Sequence, residues 1–215
     1  TCADPDGTFQ TDLSGGYVAI ADNCGPVLET GTCGDGLDLG LKAGENCDVA
    51  PGASPGNTAA ARSDLYHINR VNQVARHYLP GLPFLNSLVT VHTNWNQNCN
   101  ASYSSGSIYV YRSGTSWATC ANSGEIQGIL VHEWGHGLDQ YDGGDYDNTS
   151  EAYADVVAML ASRQSCFGPG LFTDGRVCSG YGDTCLTCTG FRDHDWAARQ
   201  GNTPATPQEF VADNC

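Results

Sequence analysis

The chain has 215 residues, with 24 acidic against nine basic side chains, a net charge of −15 and 11 cysteines. So negative a balance argues against nucleic acid and anionic membrane as partners, because both attract basic surfaces. No apolar run reaches the roughly 18 residues of a membrane span, so the expectation is a mature soluble chain forming one domain or two closely packed lobes.

Residues 1–57 are rich in Gly, Asp and Cys and hold short alternating stretches such as Tyr17-Val18-Ala19-Ile20, which predict a bridged, β-containing N-terminal lobe. Leu65, Ile68, Val71, Ala75 and Tyr78 then recur at helical spacing and Pro80 follows, predicting a helix over 59–79 with these side chains inward. Leu88-Val89-Thr90-Val91 reads as a strand, and Ser107 to Tyr111 alternates like another, with Cys99 and Cys120 flanking the region as a potential staple. Asn122-Ser123-Gly124-Glu125 resembles a capping box, and Ile126, Ile129 and Leu130 form an apolar stripe leading to His132. Gly costs about 1 kcal/mol relative to Ala inside a helix, so this helix is expected to end at Gly137. Asn148-Thr149-Ser150 offers caps for a second helix from Glu151 to about Ser162, with Val156, Val157, Met159 and Leu160 on its apolar side. Gly- and Cys-rich loops follow, with a short helical segment near Pro207 to Ala212. The expected division is an N-terminal lobe 1–57, a core 58–162 and a Cys-rich C-terminal lobe 163–215.

The chemistry concentrates in His132-Glu133-Trp134-Gly135-His136. Residues four apart on a helix share a face, so both imidazoles can reach one metal ion, while Glu133 can reach a water bound to it. A catalytic zinc takes three protein ligands and keeps its fourth position for water, whose proton a carboxylate removes. Glu151 and Asp155, also four apart, face the same way. One can bind the metal while the other holds a ligand histidine by its second ring nitrogen.

A helix bearing H-E-x-x-H followed by one bearing E-x-x-x-D resembles the gluzincins, the thermolysin-like and fungalysin-like zinc endopeptidases. The resemblance implies His132, His136 and Glu151 as zinc ligands, Glu133 as general base and Asp155 as the residue that orients a ligand. Asn100-Ala101-Ser102-Tyr103 resembles the family's edge strand that pairs with extended substrate, which implies Asn100 and Ala101 in substrate binding. Asp64 to Arg70 looks like the fungalysin helix that carries Tyr-x-x-Asn, here Tyr66 and Asn69. The similarity covers roughly residues 58 to 162. The spacer between His136 and Glu151 is shorter than in thermolysin, so the transition-state tyrosine falls to Tyr146, with Tyr141 next, and the late oxyanion histidine to His194. Asp142, ten residues after His132, stands where metzincins place a third ligand. Metzincins, however, need Gly where this chain has Asp139 and have no use for the Glu151/Asp155 pair, so Glu151 is preferred.

Asp139, Asp142, Asp145 and Asp147 beside Asn148 could gather around calcium, which takes six to eight oxygens. The cysteines look like a disulfide framework, which implies a secreted protein; Cys185-Leu186-Thr187-Cys188 is expected to bridge structurally rather than to act in redox chemistry. The count is odd, and Cys215 is the last residue, which suggests a partner in a missing C-terminal portion. Asn100 and Asn148 open glycosylation sequons, and Asn100 is expected to be bare if substrate pairs there. The fold expected is α+β: a zincin-like catalytic domain on a mixed sheet with an antiparallel edge strand, an active-site helix, a second ligand helix, and disulfide-braced loops at both ends. The function expected is a secreted, monomeric zinc endopeptidase using a metal-activated water on extended polypeptide. A disulfide-braced extracellular adhesion module with a structural zinc is the alternative, against which stands Glu133, since a closed site has no use for a base.

Overall fold

The computed structural model describes residues 8–12, 15–25, 28–32, 47, 58–143, 150–179, 184–195 and 198. In chain order they form β1 (Thr8–Asp12), β2 (Val18–Asp22), β3 (Leu28–Thr32), α1 (Ala59–Tyr78), β4 (Val89–Asn98), β5 (Ala101–Ser104) and β6 (Ser107–Arg112). There follow β7 (Gly114–Thr115), β8 (Thr119–Cys120), α2 (Gln127–Tyr141), α3 (Ser150–Ser162), β9 (Cys166–Phe167) and β10 (Arg192–Asp193). Helix and mixed sheet combine as expected. The helical segment expected near 207–212 lies outside the described residues.

The central sheet has the order β2-β4-β6-β5, so one of its strands comes from the stretch before residue 58. β2, β4 and β6 are parallel, and β5 runs antiparallel to β6, with Ala101 opposite Val110 and Tyr103 opposite Ile108. Two parallel strands need a crossover, and α1 lies in the one between β2 and β4. Between β5 and β6 only Ser105 and Gly106 turn the chain, both at positive φ (50° and 81°), the conformation that two-residue hairpins favour. The tight turn leaves β5 as the sheet edge. Cys99 is bonded to Cys120, so the staple forms across the segment that holds β5 and β6.

The core lies between the sheet and the helices. Val89, Val91, Ile108 and Val110 of the sheet share one buried assembly with Ile68 and Val71 of α1 and Ile129, Leu130 and Trp134 of α2. Each such side chain contributes about 1.5–3 kcal/mol by leaving water. Asn122 caps the 3₁₀ turn Ser123–Glu125, accepting from the Gly124 N–H at 3.1 Å, instead of opening α2 directly; α2 starts at Gln127 without a side-chain cap.

Three expectations about faces and ends need correction. Tyr78 is 75% exposed, and α1 buries Arg62, Asp64 and Asn72 beside Ile68 and Val71. The sheet opposite α1 is polar at Thr93 and Asn94, so this helix carries hydrogen-bonding groups inward along with apolar ones. α2 does not end at Gly137 but runs on to Tyr141. A Cβ on Gly137 would sit 2.7 Å from the Phe84 ring and 3.1 Å from that of Tyr103, so the glycine serves packing rather than termination. On α3, Val156 and Leu160 are exposed, and the buried residues are Ala154, Asp155 and Ala158, small groups that let α3 lie close to α2.

Disulfides join Cys24–Cys47, Cys99–Cys120, Cys166–Cys188 and Cys178–Cys185. Cys185 and Cys188 therefore bond to different partners, in keeping with a structural rather than a redox pair. Cys2, Cys33 and Cys215 lie outside the described residues. No described helix is long and apolar enough to cross a membrane.

Candidate metal centre

Contact between two helices builds the site. A Cβ on Gly135 would stand 2.9 Å from the Cα of Ala154, so only glycine permits this approach of α2 to α3. The first turn of α3 then faces His132 and His136, which are one turn apart on α2. One donor atom each from His132, His136 and Glu151 lies within 4.8 Å of the others, a group that could hold a metal ion. The two Nε2 atoms are 3.1 Å apart, and each is 3.4 Å from a Glu151 carboxylate oxygen. Asp142 is outside this group; burial raises the Tyr153 phenol to about 12, and the charge and hydrogen bond of Asp142 add to that.

Both imidazoles are oriented through their other nitrogen. Asp155, 2% exposed, places Oδ1 2.8 Å from Nδ1 of His132. The Ser150 hydroxyl lies 2.8 Å from Nδ1 of His136. With both Nδ1 atoms engaged, both Nε2 atoms are directed at Glu151. Asp155 also accepts from Arg192 Nη2 at 2.7 Å and lies 2.9 Å from Nε2 of His194. Arg192 donates a further, longer bond of 3.3 Å to Glu151.

The field of these groups favours positive charge. Burial opposes protonation of His132, yet its hydrogen bonds to Asp155 and Glu151 and the nearby Glu133 charge outweigh burial and raise it to about 9. Burial likewise opposes ionisation of Asp155, and its bonds to His132, His194 and Arg192 overcome that and hold it well below the usual carboxylate range. The hydrogen bond to His132 is the main cause lowering Glu151. Burial, reinforced by the charge of His132, lowers His136. Two imidazoles and a carboxylate converging where a cation is stabilised are a donor set suited to a divalent transition metal. Glu133 differs from its neighbours: it is 6% exposed, and burial pushes it up to about 7 despite His132 and Arg192.

A cleft of about 530 Å³ opens over these residues. Asn100 and Ala101 to Tyr103 of the edge strand line it, as do Phe167, Phe191 and Arg192. Glu133 accepts a hydrogen bond from the Tyr103 backbone N–H, which ties the strand to the helix. Asn100 and Ala101 thus line the cleft with His132, Glu133, His136 and Glu151. His194 is not among the lining residues and instead meets Asp155 from behind. Tyr141 is half exposed and stacks on Phe84 at 5.6 Å. Tyr146 lies outside the described residues, as do Asp145, Asp147 and Asn148 of the acidic loop; Asp139 of that loop is buried in α2. Sequence reasoning missed Ser150, Arg192 and the rings of Phe167 and Phe191 among the described site residues. Ser150 could have been found, because it adjoins Glu151, whereas Arg192 follows Asp155 by 37 positions with no motif to mark it.

No family model matches the chain, and no curated protein matches it significantly.

Proposed function

We propose that the chain is a zinc-dependent endopeptidase with a zincin-like, gluzincin-type catalytic core, secreted and acting on extended polypeptide. The observation that carries this reading is the convergence of His132, His136 and Glu151 at the floor of a cleft whose wall is a sheet edge, with buried Glu133 beside them. Three donors facing open space suit a catalytic ion better than a structural one, which is closed by four. This favours catalysis over the adhesion-module alternative.

Zinc held there would supply Lewis-acid polarisation of the scissile carbonyl and lower the pKa of water. Substrate pairs by its main chain along β5 as an added strand, since the outer edge of that strand borders the cleft. Glu133, raised toward neutrality by burial, accepts a proton from the attacking water at its carboxylate and delivers it to the leaving nitrogen. Arg192, on the cleft wall, holds Asp155 and Glu151 by hydrogen bonds and so keeps the ligand carboxylate in place. His194 acts one layer back by holding Asp155. Tyr146 keeps the oxyanion role that the family resemblance implies. The bridges Cys99–Cys120 and Cys166–Cys188 brace segments next to the cleft residues Asn100 and Phe167, in keeping with an oxidising compartment.

The test combines elemental analysis with cleavage of casein in the presence and absence of a chelator. About one zinc per chain with chelator-sensitive cleavage is expected. Bound zinc without cleavage would favour the adhesion alternative, and no bound metal would overturn both.

A further inference from the structure

Beyond the cleft, a second cavity of about 430 Å³ is lined by Trp117, Phe172, Arg176, Val177, Cys178 and Phe191. Phe191 lines both cavities, so the two share a wall. From the ligand His132 a file of rings leads outward: Phe167 at 4.6 Å, Phe191 at 5.6 Å from Phe167, and Trp117 at 6.4 Å from Phe191, with Phe172 5.3 Å from Trp117. The file ends on an indole that is 58% exposed, at the far side of the shared wall.

The cavity is also electrically quiet and built in advance. The Arg176 guanidinium lies 5.9 Å above the Trp117 ring and 5.7 Å above that of Phe172. Its charge is met by Asp174, 2.8 Å from Nη2, and Nη1 donates to the Trp117 carbonyl at 3.1 Å. The Cys178–Cys185 bridge fixes one wall, and the Thr173 N–H donates to the Thr119 carbonyl at 2.9 Å beneath the platform. A neutral, preformed aromatic hollow selects an uncharged apolar group and requires little ordering on binding.

We infer that this hollow is a distal subsite of the same cleft, which takes an apolar or aromatic side chain of the polypeptide substrate several residues from the scissile bond. The inference rests on the endopeptidase reading above. Its occupant follows from continuity: a chain paired along β5 and leaving past Phe191 meets Trp117 next. An extended chain advances about 3.3 Å per residue, so the three ring-to-ring steps correspond to roughly five residues. Such a subsite makes the enzyme favour segments that are extended over that length and carry one bulky apolar residue at their end.

The test uses a scissile sequence taken from a casein digest, made as a four-residue peptide and as twelve-residue peptides carrying Trp or Gly at the fifth position on either side of the bond. Trp on one side is expected to raise kcat/KM about tenfold over Gly, through KM. Trp117→Ala should remove that increment, while the four-residue peptide changes less than twofold. Binding of the same labelled peptides to Glu133→Gln protein, followed by anisotropy with and without Trp117→Ala, reads the subsite without turnover. If no peptide is cleaved by the unaltered protein, the endopeptidase reading fails, yet Trp117-dependent peptide binding would still uphold the surface. Equal loss on short and long peptides would overturn the subsite. So would absence of any effect of Trp, or Trp117-dependent binding of a neutral oligosaccharide but not of the peptides.

Discussion

Asp155 and Asp64 are the same residue type, 2% and 0% exposed, and their surroundings shift their carboxyl groups in opposite directions. Asp155, between α3 and β10, meets His132, His194 and Arg192 and is held ionised. Asp64, on α1, receives only the hydroxyl of Thr93 on one oxygen, and its other oxygen meets no donor among the described residues. Burial raises Asp64 well above the usual range, and the nearby charges of Asp22 and Glu125 raise it further. Burial alone therefore does not make an acid functional. What distinguishes the two is the company of cations, and that company exists where the protein faces a cleft. Around Asp64 the nearby charges are acidic rather than cationic, and the adjoining hydrogen bonds come from amides: Asn122 donates to Asn94, and Asn94 donates to Thr58 and to Asp22.

The strongest way to break this contrast is Glu133→Gln. Loss of the base should cut peptide turnover by more than about 10³-fold with zinc content and circular dichroism intact; near-normal turnover would show that the cleft's acids are structural like Asp64. Next in size, Asp155→Asn should weaken zinc binding by about 10–100-fold, measured by competition with a chromogenic chelator, because an amide cannot hold His132 as the carboxylate does. Unaltered zinc affinity would remove the reason for its partners. Ser150→Ala should have a smaller effect in the same assay, about threefold, since His136 loses one neutral hydrogen bond.

The smallest effect belongs to the closed side and concerns stability alone. For Asp64 the folded state retains its proton after the unfolded chain has lost it, so the unfolded state binds fewer protons and stability falls as pH rises above the ordinary value of 3.8. Below that value the contribution is complete. Asp64→Asn still accepts from Thr93 and has no charge to bury. It should flatten the decline of Tm above pH 4 and raise Tm at pH 7 by about 2–4 °C, the equivalent of about 1 kcal/mol for a domain of this size, while peptide turnover is retained. A Tm profile as steep as that of the unaltered protein would mean that Asp64 is ionised after all.

Much of the site was legible because it is local. His132, Glu133 and His136 sit on one helix, and Glu151 and Asp155 on the next, so helical spacing alone grouped them within each element. The edge strand after Asn100 was expected through the family resemblance of Asn100 to Tyr103, and β5 lies there at Ala101–Ser104. What spacing could not reveal was contact across the chain. Arg192 reaches Asp155 only after Cys166–Cys188 and the β9–β10 pairing have brought β10 back to α3. The glycines misled for a related reason: intrinsic propensity marked Gly137 as a helix end, but Phe84 and Tyr103 pack where its side chain would stand. The apolar stripes of α1 and α3 failed in part because Val156, Leu160 and Tyr78 are exposed, while polar and small residues were required inside by the neighbouring strand and helix.

The contact of Gly135 with Ala154 limits which substitutions the chain tolerates. At this point the spacing of α2 and α3 is set by backbone against backbone. Where an added methyl meets only a side chain, a change of rotamer can absorb it, but a main chain inside a helix lacks that freedom. Position 135 has no such latitude. A single methyl there wedges α3 away from α2, so the meeting of Glu151 with the histidine pair depends on a side chain that is absent.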